Sequence, residues 1–171
     1  TMSDLILGLP EETYDSFANG VSTLIDVGQH NRIQFNNLCI VPDAELSHRD
    51  QIRQYELQTV WTNIVNIHGQ IESEEIRERQ ELVIATKVMP KEDWVKTRAL
   101  GWWFGLLHFD KLLQIPFVLA HETSGKKVSY RSLVEIFSND GLPVDAYPIF
   151  AGIRKFFEDK AQAIQNGDVE F

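Results

Sequence analysis

Ten residues near the start, Asp4-Leu5-Ile6-Leu7-Gly8-Leu9-Pro10-Glu11-Glu12-Thr13, constrain the fold most, because they place an apolar strand, a glycine turn and a helix start in immediate succession. Leu5, Ile6 and Leu7 form an uninterrupted apolar run, the pattern of a strand buried on both faces of a parallel sheet. Such a strand needs parallel neighbours, and only three residues precede Asp4. The neighbours are expected from elsewhere in the chain, from a partner, or from preceding polypeptide, and we favour the last.

Downstream, Tyr14, Phe17, Val21, Leu24 and Ile25 recur at three- and four-residue spacing and predict an amphipathic helix ended by Gly28. Arg32 to Val41, carrying Ile33, Phe35, Leu38, Cys39 and Ile40, reads as one further strand closed by Pro42-Asp43. A strand-helix-strand unit of this length implies two parallel strands joined by a right-handed crossover. Residues 46–90 are more polar and read as an irregular and β connecting segment, with Tyr55 to His68 mixing β-branched and aromatic residues and Glu81 to Met89 forming a strand. The charged run Glu72 to Arg79 reads as solvated surface, with Glu75 and Arg79 paired at helical spacing.

A helix is expected from about Pro90 to Leu113, with proline in its first turn and Glu92 and Asp93 at its positive end. Trp94, Leu100, Trp102, Trp103, Phe104, Leu106, Leu107 and Phe109 make it apolar around most of its circumference, so it must be broadly buried. Pro116 marks a break, and helices over Ser129 to Phe137 and Tyr147 to Ile164 follow, separated by Ser138-Asn139-Asp140-Gly141.

The 171 residues suffice for one domain with a real core. Twenty-five acidic against sixteen basic residues give a formal charge of −9, which repels a phosphate backbone and argues against nucleic acid as the partner. The longest strongly apolar stretch, Ala99 to Leu107, is too short to span a bilayer. No secretory signal opens the sequence, so a cytoplasmic protein with no membrane partner is expected. Cys39 is the only cysteine; its apolar neighbours suggest a buried strand thiol, and one thiolate cannot hold a zinc ribbon or an iron–sulfur cluster.

The segment Asp4 to Phe17 resembles the late strand and following helix of the radical S-adenosylmethionine (SAM) barrel, where a GLPGET-type turn recurs. His30-Asn31-Arg32-Ile33-Gln34-Phe35-Asn36-Asn37-Leu38, leading to Pro42-Asp43-Ala44-Glu45-Leu46, resembles the next barrel strand and its proline loop. Glu81 to Trp94 is similar to a segment found after the barrel in enzymes that also carry a cobalamin-binding domain. The resemblance implies an α/β chain made of the last strands of a partial βα (TIM-like) barrel, over residues 1–45, and a mostly helical extension over residues 91–171. It implies a C-terminal portion of an enzyme of radical methyl transfer or rearrangement. A CxxxCxxC loop for the four-iron four-sulfur cluster would lie upstream, so SAM, cluster and cobalamin belong to the complete enzyme. Its partners would be the missing N-terminal part and a small-molecule substrate. Two positions depart from the family pattern: Glu11 stands where the turn usually has glycine, and Pro42-Asp43-Ala44 replaces a commoner proline-glycine-threonine.

The resemblance suggests Ile6, Gly8 and Leu9 as SAM contacts, since glycine permits close ligand approach and apolar neighbours pack on a purine. Asn36 and Asn37 lie near the carboxyl end of a strand, where α/β folds keep their ligand sites, and alternation turns one of them inward. No catalytic residue and no metal ligand is assigned. His108, flanked one turn away by Phe104 and Leu112, reads as a core histidine with one satisfied nitrogen. His121-Glu122 lacks metal-ligand spacing, and the tryptophans read as core. The alternative is a self-contained α/β ligand- or protein-binding module whose strand-turn-helix merely resembles the barrel turn.

Overall fold

Strand, turn and helix appear at the start as β1 (Ser3–Leu7) and α1 (Tyr14–Asp26) in the computed structural model, which describes residues 2–64, 78–139 and 142–168. A capping box starts α1: the Thr13 hydroxyl accepts from the Ser16 N–H at 3.1 Å, and the Ser16 hydroxyl oxygen accepts from the Thr13 N–H at 2.8 Å. Phe17, Val21 and Ile25 then fall on one buried face. Beyond the helix, Gly28 takes a φ of 103°, a turn that favours glycine.

β2 (Ile33–Asn37) lies parallel to β1, with Leu5 opposite Phe35, Ile6 opposite Asn36 and Leu7 opposite Asn37. Phe17 of α1 packs on Phe35 with ring centroids 5.8 Å apart, and a Cβ at Gly101 would sit 3.3 Å from the same ring. Helices therefore cover one face of the pair. The expectation that Leu5 to Leu7 is buried on both faces is corrected: Leu7 is 0% exposed, Leu5 half-buried and Ile6 43% exposed. Among the described residues β1 has one strand neighbour, so the other edge and the face opposite the helices stay open.

The single strand expected over Arg32 to Val41 is two. Leu38 donates its N–H to the Leu7 carbonyl at 2.9 Å and accepts from the Val83 N–H at 2.9 Å, so one residue hands the chain from the first sheet to a second. There β3 (Cys39–Ile40) pairs antiparallel with β5 (Arg79–Ala85), whose other side carries β4 (Gln58–Asn63). A short helix, α2 (Arg49–Gln54), precedes β4. Most of the Glu72 to Arg79 run, including Glu75 of the expected pair, lies outside the described residues.

The long helix expected to reach Leu113 is α3 (Lys91–Phe104), followed by one π-helical turn, Gly105–Phe109, in which the Asp110 N–H reaches back to the Gly105 carbonyl at 2.7 Å. The break falls at Lys111, with a φ of 68°, and not at Pro116. Pro116 is the third residue of α4 (Gln114–Thr123), in a first turn whose N–H groups need no intrahelical acceptor. Ser129 caps α5 (Tyr130–Ser138), and α6 (Pro148–Asn166) ends at Gly167 in the left-handed conformation. Trp94, Trp103, Phe104 and Leu107 are each 0% exposed, and Trp103 lies among Phe137, Phe150 and Phe157. Broad burial of α3 is thus observed. Gln165 of α6 crosses to donate to the carbonyls of Ile84 and Lys91 at 3.3 and 2.8 Å, tying the last helix to the second sheet and the start of α3. The chain is α/β with two small sheets and no closed barrel among the described residues. No described helix is long and apolar enough to cross a membrane.

Candidate functional site

A groove of about 650 Å³ opens at the carboxyl ends of β1 and β2, on the face that no helix covers. Asp4 and Ile6 of β1, Asn36 and Asn37 of β2, Cys39 of β3, the loop residues Val41 and Ala44, and Glu45 at the start of a single 3-10 turn line it. Alternation accounts for this membership: Asp4, Ile6 and Asn36 share one face, while Leu5, Leu7 and Phe35 turn toward the helices. Gln34 donates to the Asn36 amide oxygen at 3.2 Å along that open face. Asn37, opposite Leu7, ends β2 beside the groove, with its side chain on the face that Leu7 and Phe35 share. It is 6% exposed, and neither atom of its amide has a hydrogen-bond partner among the described residues. Burying an amide unpaired is costly, and this one shares the helix-covered face of Leu7 and Phe35 rather than the open face.

The other suggested contacts separate. Leu9, 39% exposed, lies with Leu5, Ile6, Phe17, Val21 and Leu24 in a second groove of about 570 Å³ between the open edge of β1 and α1. Ile6 touches both grooves. Gly8 lines neither; its φ is 91°, and a Cβ there would meet Trp94 Nε1 at 3.6 Å and the Val83 carbonyl at 3.7 Å, so the close approach is by the protein's own core. The Gly8 N–H donates to Glu12 Oε2 at 3.0 Å, and burial pushes the Glu12 carboxyl above its ordinary pKa while the Gly8 and Leu9 backbone bonds pull it down.

The two departures from the family pattern have a common backbone setting. Glu11 has a φ of 65° and Asp43 a φ of 64°, the left-handed region where glycine fits without strain. Asp4, Cys39 and Glu45 were not singled out from sequence as ligand contacts. Period-two alternation from Ile6 could have found Asp4, whereas Glu45 is brought in by the loop after the bend at Leu38. The Cys39 thiol donates to Gln80 Oε1 at 3.3 Å, and burial pushes its pKa up, the behaviour of a packed thiol.

His108 is 0% exposed and meets His30 Nδ1 through Nε2 at 3.2 Å, while its Nδ1 has no partner among the described residues. Desolvation, and then the neighbouring His30, lower its pKa to about 4. His121 uses both nitrogens, on the Val128 carbonyl at 2.8 Å and on Asp26 Oδ1 at 2.8 Å. Among the described residues no group of three or more His, Cys, Asp or Glu side chains could hold a metal. A four-iron four-sulfur cluster bound through CxxxCxxC needs three thiolates, and the sequence has one cysteine, so these residues do not fit that group.

No family model matches the chain. It is similar to the cobalamin-dependent radical SAM methyltransferase TokK of Streptomyces tokunonensis, 38% identical over 98 residues, covering 57% of this chain and 14% of that protein. It is also similar to the 2-(S-pantetheinyl)-carbapenam-3-carboxylate methyltransferase of Streptantibioticus cattleyicolor, 33% identical over 96 residues, covering 56% of this chain and 14% of that protein. The matched segment thus spans about one-seventh of the length of these curated relatives.

Proposed function

We propose that this chain is the C-terminal portion of a cobalamin-linked radical SAM methyltransferase and forms part of the wall against which SAM and a small-molecule substrate are held. The observation that carries this reading is the 38% identity over 98 residues to a relative named for that activity. In this reading residues 1–45 supply the last strands of a partial barrel, residues 46–90 a connecting segment, and residues 91–171 a helical cover. The open edge of β1 would receive a preceding strand from the missing N-terminal part of the same enzyme, satisfying backbone groups that an edge leaves unpaired. The cluster and cobalamin would be held by that part.

The chain's own share is positional. Ile6 offers an apolar surface at the rim of both grooves, Asn36 an amide on the open face, and Asn37 the end of β2 beside the first groove. Gly8 and Leu9 shape the turn that joins β1 to α1. Held in line by such contacts, reacting groups lose little further freedom in the transition state, and the covered helix face keeps water from reaching them through the sheet.

Two experiments test the reading. The coding sequence upstream of residue 1 is expected to encode CxxxCxxC within a few hundred residues, and its absence would contradict the proposal. Calorimetric titration of SAM into the purified chain is expected to give weak binding, because the chain supplies part of the site. Tight binding without a cluster would instead favour a self-contained ligand-binding module.

A further inference from the structure

The His121 ring points both of its nitrogens at acceptors. It lies in the last turn of α4, is 4% exposed, and sets Nδ1 against the Val128 carbonyl and Nε2 against Asp26 Oδ1, each at 2.8 Å. A carbonyl oxygen only accepts, so Nδ1 must carry a proton. Asp26 is ionised: Lys126 donates to the same oxygen at 3.0 Å, and the hydrogen bonds from Lys126 and His121 hold its carboxyl below the ordinary carboxylate range. An ionised carboxylate also only accepts, so Nε2 must carry a proton as well. Two further features favour a positive ring here. The carboxyl end of a helix bears partial negative charge, and the Tyr130 ring stacks on His121 with centroids 4.5 Å apart. The other titratable groups about this site are Glu122, 3.9 Å from Lys126, and His108 and His30, whose ring centroids lie 5.4 and 6.3 Å from that of Tyr130.

We propose that His121 is a proton-operated latch: held as an imidazolium it ties the end of α1 to the turn between α4 and α5, and it frees that turn from α1 when it gives up a proton. A ring with one proton can hold the Asp26 carboxylate or the Val128 carbonyl, not both, because the bare nitrogen would face an oxygen with nothing to share. The turn freed is 124–128, where Gly125 and Lys126 have φ of 64° and 63° and the Lys126 N–H reaches back to the His121 carbonyl at 2.9 Å. Its other tie to α1, the exposed Lys126–Asp26 pair, holds weakly in salt. α5 itself stays seated on α1. The Arg131 N–H donates to Ser22 Oγ at 3.1 Å, its guanidinium meets Asp15 and Glu135 at 2.6 and 2.8 Å, and Tyr14 donates to Glu135 at 2.9 Å. Arginine keeps its charge, and burial, with Glu135, pushes the Tyr14 phenol up, so these ties survive the loss of the His121 proton. The latch is closed while Asp26 is ionised and His121 is charged. It opens as pH rises through the loss of the His121 proton, and in acid as pH falls through the lowered Asp26 pKa.

Nitrogen-15 spectra of the imidazole rings in the whole chain test the charge directly. At neutral pH both His121 nitrogens are expected to show attached protons, and a His121 ring with one bare nitrogen would overturn the proposal. Amide hydrogen exchange tests the release. As pH is raised until His121 loses its proton, exchange at Lys126 and Val128 is expected to step up about tenfold beyond the trend set by Leu133 and Val134 in α5. Asp26→Asn, at an exposed position, supplies the control. Its amide can turn either oxygen or nitrogen toward Nε2, so both contacts of the ring survive deprotonation and the step is expected to vanish while the turn stays protected. A step that persists in Asp26→Asn, one that is absent from the parent, or one shared equally by Leu133 and Val134 would overturn the latch.

Discussion

The two faces of the β1–β2 pair are built to opposite ends. On the helix side Leu7, Ile33 and Phe35 meet Phe17, Val21 and the aromatic wall of α3, and Leu7, Val21, Trp94 and Trp103 are 0% exposed. On the other side Asp4, Ile6 and Asn36 face a groove in which Ile6 and Val41 leave apolar surface exposed. One strand register produces both, because side chains alternate between faces. Stability therefore resides on one face, and the other carries an open groove.

Substitutions on the two faces should differ in kind. Trp103→Ala removes one of two fully buried tryptophans of the sealed side and is expected to destabilise the chain by about 4 kcal/mol in denaturant unfolding, with loss of folding at ambient temperature as the extreme outcome. A loss below about 1 kcal/mol would mean that this core is loosely packed. Acid should come next. The folded His108 pKa is lowered from 6.5 to about 4, so its contribution is complete above pH 6.5 and is lost as pH falls through 4. That depression corresponds to roughly 3 kcal/mol, and unfolding curves of His108→Leu are expected to show a shallower acid limb between pH 6.5 and 4 than the parent. Identical limbs would place the buried histidine elsewhere in the energetics.

Smaller effects are expected at the turn and on the open face. Glu11→Gly relieves a left-handed residue at an exposed position and should stabilise by about 1 kcal/mol at most, read as a raised midpoint of thermal unfolding. A lowered midpoint would mean that the Glu11 side chain contributes something the backbone angle does not reveal. Ile6→Ala should change stability by about 0.5 kcal/mol or less, since the side chain is already 43% exposed, yet weaken SAM binding severalfold. A large stability loss with unchanged binding would erase the distinction between the faces.

What the sequence made legible follows the range of each signal. The helix start after the glycine turn, the 3.6-residue spacing of Phe17, Val21 and Ile25, and the apolar circumference of α3 are local, and each helix start or burial they imply is observed. The bend at Leu38 was not legible, because Ile33, Phe35, Leu38, Cys39 and Ile40 read as one strand, and its switch from a parallel to an antiparallel partner is decided by Leu7 and Val83, distant in sequence. Lys111 ends the α3 segment with no proline or glycine to announce it, while Pro116, a breaker by rule, is harmless in a first turn. At the groove, alternation pointed to one of Asn36 and Asn37 but could not say which. The register settles that Asn36 shares the open face with Ile6, and that Asn37 is the one whose amide is buried without a partner. Glu45 enters through the short 3-10 turn after the bend, which no periodicity encodes.

The central claim, that the uncovered face of the β1–β2 pair is the ligand face, is tested most directly by photolabelling the chain with an azidoadenosyl analogue of SAM and mapping the modified peptides by mass spectrometry. The account predicts labels confined to peptides containing Asp4 to Leu9 and Asn36 to Glu45, abolished by excess SAM. Competable labelling that falls instead on α4, α5 or α6 would contradict it.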